Sequence, residues 1–534
     1  MYGKEGRSDD KIYDYIIVGS GFGGSVSAMR LAQKGYQVLV LEKGKRYESG
    51  DFPKTNWNLK KYLWVPFFRW FGFLKLTFFK KLFVVSGVGV GGGSLVYANT
   101  LLEPLNGFYE VIPVQDKDWK QALSPFFTAA KRMLGVTQVK GHYADDMLLK
   151  EVATDLGVGD TYKKVDVGVY YNEDKTPQDP YFNGEGPLRT PCTECAGCMV
   201  GCRHNAKNTL DKNYLWFAER YGAQIKPMTQ AEKIEWNREE NLYTVFTRSP
   251  FSSRLSGNYQ TRGLVFSGGV LGTLELLFKQ KFKYQTLPNL SDHLGKNILS
   301  NSESISGVIG ANQKLNNGVS ISSMIQADEN TNVELCKFPD GSGSLFRLAF
   351  MTSGGGPVWK RILKLIWGCI SHPKDLWTWI RKGQDPRTAV VVLVMQQLKN
   401  ALTMKWSGRK MILRAAPNSP PIPVFIPAGF DVMQRLARKT KGVAVSALTE
   451  TVFNMSTTAH ILGGCPMGES IDKGVVNERF EAYGYPKMYI LDGSIMPANI
   501  GVNPSLTITA LAEYAMDQIP EKENKTDPFS FIQT

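Results

Sequence analysis

The chain has 534 residues, of which 43% are apolar and 21% charged, and its formal net charge is +14. A length this great exceeds one simple core, and the composition is that of a globular protein. Two domains are therefore expected, or one domain with an elaborate cap, and a disordered or fibrous chain is excluded. No run of about 18 or more uncharged apolar residues argues for a membrane-spanning helix. The opening eleven residues, MYGKEGRSDDK, are polar and carry no apolar stretch of the signal-peptide kind, so a cytoplasmic protein is expected.

In chain order, Ile16, Ile17 and Val18 form a short apolar strand. Gly19-x-Gly21-x-x-Gly24 follows, with Phe22 and Gly23 inside it, and the spacing predicts a helix from about Ser25 to Lys34. Gly35 ends that helix, and QVLVLEKG is a second strand ending in Glu42. Strand, glycine loop, helix and acid in this order form a dinucleotide fingerprint. Gly19 permits the tight turn, Gly21 lets backbone approach a pyrophosphate, and Gly24 lets helix and strand pack closely. Free N–H groups at the helix start face the phosphates, and Glu42 is placed for a ribose hydroxyl.

No acidic residue occurs between Asp51 and Glu103, and residues 57–85 inside that gap interleave aromatics with Lys and Arg. Residues 357–383 repeat the pattern. No nucleic-acid module accompanies either stretch. Aromatic plus basic residues suit a lipid headgroup boundary, and a buried lid whose lysines reach outward is the alternative. Residues 86–102, SGVGVGGGSLVYANTLL, form a second glycine surface of Gly87, Gly89, Gly91, Gly92 and Gly93, with Ser94 and Asn99 as polar contacts. A nicotinamide cofactor does not need this second surface, whereas the extended ring system of FAD does.

Residues 192–202, CTECAGCMVGC, hold four of the seven cysteines: Cys192, Cys195, Cys198 and Cys202. Disulfides are disfavoured in a cytoplasmic chain. The spacing is that of bacterial [4Fe–4S] ferredoxins, although Arg203 stands where proline usually follows the last cysteine. An iron–sulfur cluster is thus a candidate, with zinc and plain thiols left open. Near the C terminus, MYILDG is a buried strand ending in Asp492 and Gly493. A helix is expected to follow, with Asn503 as N-cap and Pro504 at its first position. Of the five histidines, His142, His204, His293 and His372 stand in contexts without a recognisable role, and His460 opens HILGGC.

Three blocks then combine: GSGFGGS, GVGVGGGSLVYAN, and the run HILGGCPMG…YPKMYILDGSIMPANIGVNPSLTITALAEYA over residues 460–515. Together with the softer GLVFSGGVLGTLELL, they resemble the glucose–methanol–choline (GMC) oxidoreductases, most closely the cholesterol-oxidase-like branch. The resemblance implies an α/β fold. A Rossmann-like domain for noncovalent FAD would comprise residues 1–50, 82–103, 206–306 and 451–534. Residues 51–81 would be a lid, and 104–205 with 307–450 a cap built on an antiparallel sheet, the cysteine run included. By the same resemblance Asp492, Gly493 and Pro504 contact FAD, and the amino end of the last helix points at the flavin. His460 is the active-site histidine that assists proton removal while hydride passes to flavin N5, and Asn503 faces flavin and substrate oxygen.

One departure is visible. The glutamate of the family's substrate domain corresponds to the strand at 389–406, which holds Gln396, Gln397 and Asn400 but no acid. Steroid isomerisation is therefore not expected. The implied substrate is a hydrophobic alcohol: a sterol, a long-chain alcohol or another lipid. A membrane surface, met peripherally at its inner face, is the expected partner, and nucleic acid is not. Oxygen, a quinone or an electron-acceptor protein takes the electrons. Two other readings stay open: a flavoenzyme acting on C–C bonds of a lipid or ketosteroid, and a membrane-binding flavoprotein without catalytic role.

Overall fold

A computed structural model describes residues 8–114 and 117–523. The strand before the fingerprint is Ser8–Val18, longer than its apolar tip, and it pairs in parallel with Val38–Leu41 on one side and Leu255–Phe266 on the other. Gln224–Lys226 extends the sheet beyond Val38–Leu41, and Met488–Ile490 pairs with the end of Leu255–Phe266, both in parallel. Parallel strands buried on both faces call for continuous apolar runs, as VLVL and IIV are. On its other edge Leu255–Phe266 pairs antiparallel with Leu242–Arg248, which pairs with Gln230–Asn237, so the same sheet continues as an antiparallel hairpin.

The fingerprint helix is Phe22–Gln33, starting three residues earlier than the sequence indicates, because helical geometry begins inside the glycine loop. It packs against the last helix, Ser505–Asp517. Arg30 donates to both Glu513 carboxylate oxygens at 2.7 and 3.0 Å, and Tyr214 donates to the same group at 2.6 Å. This buried, two-pronged pair fixes the N-terminal helix to the C-terminal one.

A second sheet has seven strands, all antiparallel, in the order Ala349–Met351, Val443–Ala447, Ser304–Ile309, Val390–Gln396, Thr331–Cys336, Ile321–Asp328 and Lys163–Lys164. Ser304–Ile309 therefore belongs to this sheet as a whole. The stretch 389–406 is not one strand: Val390–Gln396 stays in the sheet, and Leu402–Trp406 forms a separate hairpin with Met411–Ala415.

The aromatic and basic stretch at 57–85 divides its side chains. Tyr62, Trp64, Phe73, Leu74, Leu82 and Phe83 are buried, whereas Trp57, Phe67, Phe68 and Phe78 are exposed. It forms no long amphipathic helix: its body is the antiparallel pair Leu74–Phe78 and Leu82–Gly87, closed onto Ser456–Thr458. The second such stretch folds as two helices, Val358–Ser371 and Pro373–Lys382. Among the described residues no helix is long and apolar enough to cross a membrane.

Candidate active site

A cavity of about 390 Å³ lies where the two sheets meet. One end is lined by the glycine loops. Gly19 has φ +97°, and a Cβ there would sit 2.3 Å from the Ser267 carbonyl oxygen, so only glycine turns the chain at this point. A Cβ on Gly92 would lie 2.6 Å from the Gly21 Cα, so the two glycine surfaces touch each other. Gly21 itself has no atom closer than 3.7 Å to its ideal Cβ and opens to the cavity. Behind it the helix Phe22–Gln33 starts with no side-chain cap and no acid in its first turn, leaving N–H groups for an anion.

Phe22, Gly23, Glu42, Gly87, Gly93, Asp492, Gly493 and Pro504 also line the cavity. Gly24, Ser94 and Asn99 do not. Gly24 packs on the Gly19 carbonyl, where a Cβ would be 2.2 Å away. Ser94 Oγ donates to Gly91 O at 2.7 Å and accepts from Leu210 N at 3.1 Å, so it braces the loop instead. Asn99 is fully buried, and neither its amide nitrogen nor its oxygen has a partner among the described residues. Glu42 already accepts from Ser20 N, Ser20 Oγ and Gly44 N at 3.1, 2.8 and 2.8 Å, fastening the loop to the strand end. Asp492 likewise accepts from Thr273 Oγ and Ser494. Orphaned polar atoms at Thr100 and Asn503, which line the same cavity as the open backbone at Gly21, fit a polar, phosphate-bearing cofactor such as FAD.

The other end of the cavity is apolar, walled by Tyr62, Met199, Ile321, Phe338, Leu345 and Leu393. His460 and Asn503 line the same cavity, so the structure brings together the residues singled out for chemistry. His460 Nδ1 lies 2.7 Å from Glu303 Oε1, and the other carboxylate oxygen accepts from Ala459 N at 2.8 Å. Glu303 is fully buried. Burial pulls the His460 imidazole down, but the carboxylate of Glu303, helped by Glu334, carries it above the ordinary histidine value. With the Nδ1 proton held by Glu303, Nε2 is left for a substrate hydroxyl.

Asn503 is not the helix cap expected of it. The final helix begins at Ser505 with Pro504 as its capping residue. The Asn503 amide instead donates to Glu334 Oε2 at 3.4 Å. Glu334 supplies a carboxyl that the stretch 389–406 lacks. It stands on Thr331–Cys336, which pairs antiparallel with Val390–Gln396 and sets Glu334 opposite Leu393. Residues two apart share a face. Cys336 lines the cavity, and Glu334 therefore faces the same way. Burial pushes its carboxyl up to about 7, partly offset by the charge of His460 and the Asn503 amide.

A polar frame holds both pairs. Asn301 Oδ1 accepts from Gly501 N at 2.9 Å, and its amide donates to Val502 O at 2.9 Å. Asn332 donates to Gly501 O at 2.8 Å, and Asn400, which the sequence offered only as a non-acid, ties Ser302 to Asn499. The segment 301–303 thus positions the loop of Asn503 and the partner of His460 together. Sequence reading missed Glu303 and Glu334. The one available signal was a lone acid inside the otherwise strand-like TNVELC.

The cysteine run of residues 192–202 folds as an irregular loop around the short turn Cys198–Val200. Among the described residues no three His, Cys, Asp or Glu side chains are gathered so as to hold a metal ion. The run clasps neighbouring chain by its backbone: Cys192 N donates to Tyr170 O at 2.8 Å, Ala196 N to Gly318 O at 2.7 Å, and Gly318 N to Glu194 O at 2.8 Å. Glu194 and Ala196 take left-handed backbone between the cysteines, with Cys195 exposed and Cys198 buried. Lys207, itself buried, clamps the loop through the carbonyls of Leu95, Tyr97 and Cys198 at 2.8–3.1 Å.

Two interlocked glycine loops, an apolar chamber and a histidine–carboxylate pair between them define a flavoprotein oxidoreductase acting on alcohol groups. Family comparison agrees: residues 407–512 match the GMC oxidoreductase model, and residues 17–50 match a NAD(P)-binding Rossmann-like domain. The chain is 39% identical over 530 residues to a cholesterol oxidase of Acinetobacter baumannii, covering 96% of this chain and 95% of that one. It is 40% identical over 534 residues to a cholesterol oxidase of Mycobacterium tuberculosis (strain CDC 1551 / Oshkosh), covering 96% and 91%. The chain belongs to the GMC oxidoreductase family. In fold it is similar to the crystal structure of pyridoxine 4-oxidase from Mesorbium loti, with a TM-score of 0.61 at 13% identity over 95% of this chain and 99% of that one.

Proposed function

We propose that this chain oxidises the hydroxyl group of a sterol or a similarly bulky lipid alcohol, using noncovalent FAD and dioxygen. The observation that carries this reading is His460, braced by Glu303, facing the same apolar chamber as the Asn503–Glu334 pair. The relatives named cholesterol oxidases support a sterol-sized substrate and oxygen as acceptor.

FAD, when bound, supplies the acceptor for the hydride. Gly21, Gly92, Gly93 and the open start of the fingerprint helix are the residues that would hold it. The remaining chemistry belongs to the chain. The apolar wall binds the hydrocarbon body and excludes water. His460 Nε2 takes the hydroxyl proton, and Glu303 stabilises the imidazolium so formed. The Asn503 amide orients the substrate oxygen. Glu334, its carboxyl pushed up to about 7 by burial, lends or accepts a proton beside Asn503, so isomerisation of a conjugatable sterol product is again within reach. The enzyme meets its substrate at the inner face of a membrane, peripherally.

Anaerobic titration of the holoenzyme with sterols, fatty alcohols and ketosteroids in micelles tests the reading. Sterols should bleach the flavin. Bleaching by ketosteroids alone would overturn alcohol oxidation in favour of C–C dehydrogenation.

A further inference from the structure

The helix Val358–Ser371 is inside out. Trp359, Ile362, Leu363, Ile366, Trp367 and Ile370 recur at helical spacing on one face, and all six are 37–68% exposed. The one buried side chain of this helix is a cation, Arg361. It donates to the Glu450 carbonyl at 2.8 Å and to Asn454 Oδ1 at 2.5 Å, which pins the Arg361 side of the helix to the protein. A helix packing on its own protein turns such a stripe to the core. The next helix, Pro373–Lys382, adds Trp377 and Ile380, 57% and 51% exposed.

Cations surround the stripe. Lys360, Lys364, Lys374, Arg381 and Lys382 are exposed, and Asp375 is the single acid between residues 357 and 383. The patch also connects to the candidate active site. Leu345 lines the cavity, Leu348 three residues later is 46% exposed, and the strand Ala349–Met351 that follows is the bed of the second helix. There the Trp379 indole donates to Ala349 O at 3.0 Å, and its ring meets Phe350 with centroids 4.7 Å apart.

We propose that this helix pair is a docking surface for an anionic lipid bilayer, seated at headgroup depth beside the cavity wall. The proposal rests on the lipid-alcohol reading above for its purpose, though not for its physics. At 14 residues the longer helix reaches only about 21 Å, short of a bilayer core of about 30 Å, so it lies in the membrane plane. Tryptophans fill the headgroup boundary, the aliphatic stripe enters the acyl region, and the cations meet lipid phosphates. A second copy of the chain is the weaker occupant, because a two-fold contact would set this ring of cations against its own copy.

The test is flotation of the holoenzyme with vesicles of phosphatidylcholine, with and without phosphatidylserine. The chain should float with the anionic vesicles and be released by added salt. Ile366→Glu combined with Trp367→Glu should bind at least about 10-fold more weakly, with FAD content and oxidation of micellar substrate unchanged. A second variant, Trp359→Phe with Trp367→Phe, keeps the apolar face. It should bind as before but lose most of the tryptophan quenching caused by brominated lipid. Wild-type protein that floats with neither vesicle overturns the proposal, as does a double-glutamate variant that floats undiminished. So does a concentration-dependent dimer that the glutamates dissolve while vesicles bind neither form. If vesicles bind but no micellar lipid alcohol bleaches the flavin, the substrate reading fails and the surface stands.

Discussion

Glu303 touches no substrate in the proposed reaction and acts only through His460, which makes Glu303→Gln a demanding test. Glutamine keeps the shape and one carbonyl acceptor but loses the charge. In the native protein the carboxylate is fully buried, lies 2.7 Å from His460 Nδ1 and accepts the Ala459 N–H at 2.8 Å. A hydrogen bond to a charged group contributes roughly 1.5–3 kcal/mol, which corresponds to a factor of about 10–150 if the imidazolium forms in the transition state. The plateau rate of flavin reduction should fall by that factor. The pH dependence adds a second readout. His460 must be neutral to accept a proton, so activity is lost as pH falls through its pKa. Glu303 holds that pKa above the ordinary value. Removing the charge lowers it, and the acid limb must then move to lower pH even as the plateau drops. Anaerobic stopped-flow reduction by a micellar sterol across pH measures both, with FAD absorbance as the loading control. A plateau within about two-fold of wild type, or a lowered plateau with an unmoved limb, would refute the positioning role.

His460→Ala should slow flavin reduction by about 10²–10⁴-fold with FAD content near normal, as read in the same anaerobic assay. Glu334→Gln should erase a titration near pH 7 from the rate profile and let an unconjugated ketone accumulate from a sterol with an isolated ring double bond, seen as a loss of enone ultraviolet absorbance. Lys337→Ala strands Asp145, whose carboxylate lies 2.9 Å from the lysine with both side chains at most 1% exposed, and should cost about 3–5 kcal/mol in denaturant unfolding. Acid precipitation should release all the flavin into the supernatant; yellow protein pellets would contradict noncovalent binding.

The nucleotide-binding half was readable because its constraints are local. A glycine that must turn at φ +97°, an apolar strand buried on both faces and a helix that needs an uncapped start each leave a mark within a few residues. His460 was legible for a related reason: it opens a motif, HILGGC, whose glycines are fixed by close packing against Asn297 and Leu274. The carboxylates that make His460 and Asn503 work were not. Glu303 sits 157 residues from His460, and Glu334 169 residues from Asn503. Neither separation has a sequence period; both contacts exist only because antiparallel strands bring Ser304–Ile309 and Thr331–Cys336 onto either side of Val390–Gln396. The cysteine run shows the converse. Spacing specifies which thiols are near in sequence, while backbone conformation, left-handed here at Glu194 and Ala196, accompanies one thiol exposed and another buried. The aromatic and basic stretches were alike in composition and opposite in fate. Residues 57–85 bury four of their eleven aromatics, and residues 358–382 expose three of their four tryptophans. Composition sets what a segment can bury, but only the packing of the rest of the chain decides which side is left to meet solvent or lipid.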